Sequence, residues 1–294
     1  MDRDLLPYAR ASNCSSDPAV SLNFLNIQPL LKRYGIQPKK SLGQNFLVEP
    51  AGLMKVINAA ELCGDEEVLE IGAGLGSLTY LLAQTCARVS AVEIDRHMLE
   101  PLAEALKLFS NVQIVPGDIL ELDPAKLVNQ ENYVVVANIP YYITSAIIRH
   151  LLEAKLKPSR VILTIQKEVA QRIVARDGKM SLLSLSVFIF GEPEIVGTIP
   201  AGSFFPAPDV DSAVLRIRLH PEPLIPAPQL DQFFKLAHAG FGQKRKTLRN
   251  SLSSGLSLPT GEVEARLIKA EIDPSRRAET LSVAEWARLV TKFN

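Results

Sequence analysis

Short apolar runs alternate with helical patterns between residues 68 and 175, and this alternation constrains the fold more than any other feature of the sequence. The runs that predict strands are residues 68–71, 88–93, 112–115, 133–137 and 160–166. Helices are predicted over residues 75–87, 97–108, 143–153 and 167–175. Such alternation favours an α/β fold in which helices cover both faces of a parallel sheet. We expect residues 182–190 and 212–219 to complete that sheet.

Proline marks the start of a second, smaller domain. Four prolines fall within eight residues, at positions 221, 223, 226 and 228, and neither a helix nor a central strand tolerates that density. Beyond them the pattern is helical, over residues 230–241 and 261–270, and a capping box at 282–285 opens a last helix. We therefore predict an N-terminal extension over residues 1–30 that is partly disordered, a large α/β domain over 31–219, and a small α-helical domain over 220–294.

Composition excludes several classes of protein. The chain has 294 residues, 47% of them hydrophobic, with 32 basic and 32 acidic side chains, which excludes a disordered chain. No apolar run reaches the ~18 residues of a membrane span, and no basic, apolar leader opens the sequence. The cysteines and histidines show no metal-ligand spacing. We expect a monomeric cytoplasmic protein without a membrane or metal partner.

A glycine-rich segment follows the first predicted strand. Glu70 precedes glycines at 72, 74 and 76, and glycine lets a chain turn tightly and approach a ligand with its backbone. The spacing G-x-G-x-G differs from the dinucleotide pattern G-x-G-x-x-G. Taken alone, this glycine spacing is also typical of an ordinary strand–helix turn.

Carboxylates end the next two strands. Glu93 could accept hydrogen bonds from both hydroxyls of a ribose, and Asp118 from an adenine amino group, although a surface charge and an Asx turn are the plainer explanations. Ligands bind at the carboxyl edge of open α/β sheets, where both residues and the glycines would meet. No GKS or GKT provides for a phosphate, so S-adenosylmethionine fits better than a dinucleotide.

The segment Asn138-Ile139-Pro140-Tyr141 ends the fourth strand on the same edge. The Asn138 amide oxygen and the Ile139 carbonyl could accept hydrogen bonds from an exocyclic amine, and Tyr141 could stack on a flipped-out base. Two acceptors would favour a pyramidal nitrogen whose lone pair can attack a methyl group. A turn with a packed tyrosine remains an alternative. Residues 204–208, FFPAP, offer either a second stacking surface or a hairpin with its phenylalanines packed inward.

Taken together, the motifs resemble those of the bacterial small-subunit ribosomal RNA adenine dimethyltransferases. The segments that match, in order, are SLGQNFL, EIGAGLG, VEID, GD, NIPYYITS, QKEVAQRI, FFPAPDVDSAV and FGQKRKTLRNSL. The resemblance covers roughly residues 37–289. It implies a Rossmann-like methyltransferase domain followed by a small α-helical domain. It also implies transfer of two methyl groups from S-adenosylmethionine to N6 of each of two adjacent adenosines in the 3′-terminal hairpin of 16S rRNA in the 30S particle, and a role in small-subunit biogenesis.

The resemblance also assigns individual residues. The residues that would contact the cofactor are Asn45, Leu47, Gly72, Gly74, Glu93, Asp118 and Asn138. Asn138, Ile139 and Tyr141 would hold the target amine, and Phe204 would close on the target base. Two positions depart from the family pattern: Tyr142 stands where many members have Asn, and Asp209 where many have Lys.

The basic residues of the chain gather near its end. Residues 219–294 contain 11 basic and 8 acidic side chains, which leaves 21 basic and 24 acidic for the rest. The densest group is Lys244, Arg245, Lys246 and Arg249, which we predict to bind RNA phosphates, although a solvated helix face is the ordinary explanation of such a run. Other functions left open are a macrolide-resistance-type methyltransferase acting on 23S rRNA, a non-catalytic assembly factor and, less favoured, a DNA adenine methyltransferase.

Overall fold

A seven-stranded mixed sheet with helices on both faces forms the main body of the protein. The structure is a computed structural model that describes residues 22–39, 42–176 and 178–293. Its strands are β1 (Phe46–Leu47), β2 (Glu67–Ile71), β3 (Arg88–Glu93), β4 (Val112–Pro116), β5 (Val134–Asn138), β6 (Arg160–Gln166), β7 (Gly191–Ile199), β8 (Phe204–Phe205) and β9 (Ser212–Leu219). Its α-helices are α1 (Gln28–Arg33), α2 (Pro50–Ala60), α3 (Ser77–Thr85), α4 (Arg96–Leu106), α5 (Thr144–Glu153), α6 (Lys167–Ile173), α7 (Leu182–Phe190), α8 (Leu230–Phe241), α9 (Leu248–Leu256), α10 (Thr260–Lys269) and α11 (Val283–Phe293).

The order of the strands brings the ends of the parallel ones to one edge. The sheet runs β4-β3-β2-β5-β6-β9-β7, with β2 to β6 parallel and β9 antiparallel to both of its neighbours. All five residues of β2 are buried, because helices cover both faces. The chain order reverses between β2 and β5, and a crevice opens outside the strand ends at such a point. The five predicted parallel strands and the α/β class are confirmed.

The expectation that residues 182–190 form a strand is wrong. They form helix α7, which Ser181 and Ser184 cap reciprocally: the Ser184 N–H donates to Ser181 Oγ (3.1 Å) and the Ser181 N–H to Ser184 Oγ (2.7 Å). A segment that is apolar on nearly every side has no helical or strand period that would reveal its structure. The missing edge strand is β7, directly after α7. Strand β9 lies where residues 212–219 were predicted to complete the sheet.

Two helix beginnings show how local sequence sets the elements. Pro50 opens α2, and the Glu49 carboxylate caps it by accepting from Ala51 N (3.0 Å) and Gly52 N (2.7 Å). Pro29 likewise lies in the first turn of α1. Proline has no backbone N–H, and the N–H groups of a first turn have no partner within the helix, so proline costs no hydrogen bond there. Residues 1–21 of the predicted extension over residues 1–30 lie outside the described residues.

The helices after the proline-rich segment pack around Trp286. This side chain is fully buried, and a Cβ on Gly240 would come within 2.7 Å of its ring. The predicted capping box opens α11: the Ser282 N–H donates to Glu285 Oε2 (2.7 Å) and the Glu285 N–H to Ser282 Oγ (3.3 Å). Buried residues of α8 to α11 are continuous with the core on one face of the sheet. Within the described ranges, none of the helices has the length and apolar character needed to cross a membrane.

Candidate active site

A cavity of about 230 Å³ opens at the carboxyl edge of the parallel strands. It brings together most of the residues singled out in the sequence, from five separate segments. Those that line it are Asn45, Gly72, Gly74, Glu93, Asp118, Asn138, Ile139 and Tyr141. Leu47 and Phe204 are not among its lining residues.

The glycine segment forms a loop whose conformation is possible because glycine has no side chain. Gly72 and Gly74 have φ angles of 77° and 56°, in the left-handed region. A Cβ on Gly74 would lie 2.9 Å from the Phe46 ring. Two N–H groups of the loop, from Gly72 and Ala73, donate to the Val92 carbonyl at 2.9 and 3.1 Å. The loop is thus tied to β3, which ends at Glu93.

Glu93 is 5% exposed and joins the glycine loop to the end of β3. Its Oε2 accepts from Gly74 N at 2.7 Å, and its Oε1 from Asp95 N at 2.8 Å. Burial raises the pKa of this carboxyl, and the two N–H donors offset part of that effect. Because a carboxylate oxygen has two lone pairs, both oxygens can still accept a ribose hydroxyl.

Asp118 forms the Asx turn that is one of the two explanations offered for it, and its role at the adenine stays a prediction. Its Oδ1 accepts from Leu120 N at 2.9 Å, an Asx turn after β4, and its side chain also lines the cavity. The turn uses Oδ1 and so fixes the carboxylate at the cavity wall, where Oδ2 can accept from an adenine amino group.

Sequence reasoning missed the contact that fixes the loop before β1. The Asp95 carboxylate accepts from Gln44 Nε2 at 2.9 Å and from Lys39 Nζ at 3.0 Å. Burial opposes ionisation of Asp95, but the hydrogen bonds from Lys39 and Gln44 outweigh it and lower its pKa. The sequence does contain a signal for this carboxylate. Asp95 ends the VEID segment and caps helix α4 by accepting from His97 N at 3.1 Å.

The segment after β5 is held from two sides. Asn138 donates through Nδ2 to the Asn45 carbonyl at 3.0 Å, which leaves Oδ1 as the amide's acceptor. The Tyr141 hydroxyl lies 2.8 Å from Ser212 Oγ, and burial raises the pKa of Tyr141. Ile139 is 2% exposed and anchors the segment in the core.

Leu47 and Phe204 face each other across a two-residue antiparallel ladder, β1 with β8. Both side chains are buried in the core, at 3% and 4% exposed, whereas the adjacent Phe205 is 39% exposed. Of the two arrangements considered for residues 204–208, Phe204 shows the inward one. Roles for Leu47 at the cofactor and Phe204 at the base stay predictions.

The candidate RNA-binding residues lie between α8 and α9. Lys244, Arg245 and Lys246 are exposed on a turn, not on a helix face. Arg249 lies in α9, half-buried, with its guanidinium 3.0 Å from the Glu264 carboxylate. Three of the four basic side chains are therefore exposed to solvent, and the fourth, Arg249, forms an ion pair with Glu264.

Comparison with known proteins decides the family. The model of the family described as "Ribosomal RNA adenine dimethylase" matches residues 35–294. The chain belongs to this family. Membership confirms the predicted resemblance, the enzyme class and the cofactor, S-adenosylmethionine.

Relatives of this dimethylase cover nearly its whole length. A "Ribosomal RNA small subunit methyltransferase A" of Dehalococcoides mccartyi is 43% identical over 265 residues, 90% of this chain and 91% of the relative. A protein of the same name from Enterococcus faecalis is 42% identical over 88% of this chain and 92% of its own. Among solved structures, a Plasmodium falciparum dimethyladenosine transferase has a TM-score of 0.74 at 25% identity, covering 85% of this chain and 97% of its own. The 23S rRNA methyltransferase ErmE has a TM-score of 0.68 at 30% identity, covering 84% and 99%.

The residues of the dimethylase fit its cofactor. Glu70 is 1% exposed, and its Oε2 has no hydrogen-bond partner within the part of the chain that the structure describes. Burial raises the pKa of Glu70 to about 8. Glu70 lines a smaller pocket beside the glycine loop, with Gly72 and Asn138, and not the 230 Å³ cavity. A cationic ligand near this loop would favour the Glu70 carboxylate.

Proposed function

We propose that this dimethylase transfers two methyl groups to N6 of each of two adjacent adenosines in the 3′-terminal hairpin of 16S rRNA, within the 30S subunit or its precursor. The proposal rests on one observation: Asn138 and Tyr141 line the same cavity as Glu93 and Asp118. Relatives at 39–43% identity are named small-subunit methyltransferases, which supports the 16S substrate. A role in small-subunit biogenesis, in the cytoplasm and as a monomer, belongs to the same proposal.

The roles proposed for the site follow from its donors and acceptors. Glu93 accepts the ribose hydroxyls of the cofactor and Asp118 its adenine amino group, while Asn45, Gly72 and Gly74 form part of the wall of its pocket. Leu47 is buried outside that wall and would support it. The cofactor, when bound, supplies an electrophilic methyl group on a sulfonium sulfur. The chain's task is to place the amine against it.

Placement of the amine falls to the segment after β5. In the first transfer the Asn138 Oδ1 and the Ile139 carbonyl accept the two N6 hydrogens, which holds the nitrogen pyramidal with its lone pair free. The methylated nitrogen then loses one proton to water, and in the second transfer one of the two acceptors holds the remaining hydrogen. Tyr141 stacks on the extruded base, and Phe204 would approach it from the other side. No side chain has to act as a nucleophile, so orientation supplies most of the rate.

We propose that residues 220–294 form an RNA-binding domain. Lys244, Arg245 and Lys246 on their exposed turn, with Arg249 behind them, would contact the phosphates of the hairpin. The large domain, residues 31–219, would then perform the chemistry on the base that these contacts present.

Incubation with labelled cofactor and either unmethylated 30S subunits or protein-free 23S rRNA tests the substrate. Mass spectrometry of the nucleosides should show N6,N6-dimethyladenosine from the 30S particles alone. Dimethyladenosine formed from 23S rRNA and absent from 30S would contradict the proposal and favour the alternative that the likeness to ErmE supports.

A further inference from the structure

A buried serine lies against the hydroxyl of Tyr141. Ser212, the first residue of β9, is 0% exposed, and its Oγ is 2.8 Å from the Tyr141 hydroxyl across 71 residues of sequence. Either hydroxyl can donate. Burial raises the pKa of Tyr141, so its phenol stays protonated at neutral pH and remains available as a donor.

Ser212 sits at one of the most constrained points of the sheet. Strand β9 lies between β6 and β7, where Ser212 is opposite Gln166 on one side and Ile199 on the other. The preceding residue is also held twice: the Asp211 carbonyl accepts from Lys167 N, and its Oδ1 accepts from Ala201 N, both at 3.1 Å. The serine hydroxyl therefore occupies a fixed position.

Tyr141 has much less local support. It opens a single 3-10 turn, Tyr141–Ile143, and the next residue, Tyr142, is 66% exposed. The hydrogen bond that the Thr144 side chain donates through Oγ1 to the Tyr141 carbonyl (3.1 Å) fixes the turn but not the direction in which the Tyr141 side chain extends. The phenolic oxygen lies on the ring axis, so a hydrogen bond at that end fixes where the ring lies, through its χ1 rotamer, and leaves rotation about the axis to the surrounding packing.

We propose that Ser212 is a positioning residue for methyl transfer, whose hydroxyl holds the far end of the Tyr141 ring in the position that receives the target adenine. The inference rests on the proposed role of Tyr141 at the base. Ser212 itself touches neither base nor cofactor in this scheme. Its loss should misplace the stacked base and slow the chemical step, while cofactor binding is unaffected.

A double-mutant cycle tests this coupling. Ser212→Ala and Tyr141→Phe should each lower kcat on 30S particles about 3- to 10-fold, the worth of one hydrogen bond, with the cofactor Kd unchanged. Combined, the two substitutions should cost no more than either one alone. Fully additive losses, or a parental kcat for Ser212→Ala, would overturn the proposal. Tyr141→Phe tests the same bond should Ser212→Ala fold poorly.

Two further variants separate the possible failures. Ser90→Ala is the matched control, since Ser90 is another fully buried strand serine, with its Oγ 2.6 Å from the Leu127 carbonyl. It should lower Tm and leave kcat unchanged; an equal loss of kcat would assign the Ser212 effect to general destabilisation and overturn the proposal. Tyr141→Ala tests the proposed function itself: full activity there would remove Tyr141 from the base site, whereas an inactive Tyr141→Ala with a fully active Ser212→Ala refutes the positioning role alone.

Discussion

The side-chain amide of Asn138 donates a hydrogen bond to the backbone carbonyl of Asn45, with 3.0 Å between Nδ2 and O. Asn45 directly precedes β1, whose only ladder in the described structure is with β8, where Phe204 and Phe205 lie. One short loop thus touches the end of β5 and the FFPAP segment, and it fixes the direction in which the Asn138 oxygen points. The loop is in turn tied to β3 through Gln44 and Asp95.

Asn138→Ala should abolish most methyl transfer. It removes the acceptor proposed for the amine and frees the Asn45 carbonyl, so we expect kcat to fall about 100-fold or more, with a change of less than about tenfold in cofactor Kd. Single-turnover methylation of 30S particles and calorimetric cofactor titration measure the two. Asn111→Ala is a suitable control, because the Asn111 amide also donates to backbone carbonyls, at 3.0 and 3.1 Å, but outside the cavity. Full methylation by Asn138→Ala would refute the assignment.

Glu93→Gln should weaken cofactor binding about 10- to 100-fold, since the charge-assisted hydrogen bonds proposed between Glu93 and the ribose would become neutral ones. Glu67→Gln provides a closely matched comparison. Glu67 is also buried, at 2% exposed, and accepts from Asn129 N (2.6 Å) and Gln130 N (3.0 Å), but it lies at the opposite end of the sheet. It should lose stability and keep its cofactor Kd. Equal Kd values for Glu93→Gln and the parent would show that Glu93 only braces the loop.

The sequence predicted the site better than it predicted the connections within it. Glycine spacing and strand ends place Gly72, Glu93 and Asp118 at one edge, because parallel strands in a wound sheet end together. The bond between Tyr141 and Ser212 depends on β9 inserting antiparallel between β6 and β7, and no local pattern specifies that register.

The wrong prediction for residues 182–190 and the open choice for residues 204–208 both depend on tertiary context. Helix α7 is apolar on most sides, so its sequence lacks the period that separates a helix from a buried strand. Phe204 and Phe205 are neighbours on a strand, and successive side chains point to opposite faces. If Phe204 and Phe205 form a strand, one of the two side chains faces the core and the other does not. The pairing of β8 with β1 decides that Phe204 is the buried one.

Gly74→Ala should impair both stability and cofactor binding. The residue has φ 56°, where a side chain costs about 1–2 kcal/mol, and its Cβ would lie 2.9 Å from the Phe46 ring. We expect a Tm lower by about 2–6 °C and a weaker cofactor Kd. Gly261→Ala, with nothing within 4 Å of its Cβ on α10, should leave both unchanged or raise Tm slightly. Thermal melts with and without cofactor distinguish the two, and matching behaviour would contradict the role of the loop.

Glu70 should make the cofactor-free protein less stable as pH rises. Burial raises its pKa from an ordinary 4.5 to about 8 in the folded chain. Between those values the folded state binds more protons than the unfolded state, so the free energy of unfolding falls with increasing pH and levels off above about 8. Glu70→Gln stays neutral throughout, and its Tm relative to the parent should therefore rise between pH 5 and pH 8. Parallel Tm profiles for the two proteins would show that Glu70 is not the group responsible.

Lys244→Ala combined with Lys246→Ala should weaken RNA binding and reduce its dependence on salt. Each exposed lysine that meets a phosphate releases about one counterion, so the slope of log K against log salt should fall by about two. Lys107 and Lys126 are also exposed but lie near the β4 edge of the sheet, and their double alanine variant should keep the parental slope. Binding of the 3′-terminal hairpin at several salt concentrations measures both. The same slope for the two double variants would mean that the turn between α8 and α9 does not meet the RNA backbone.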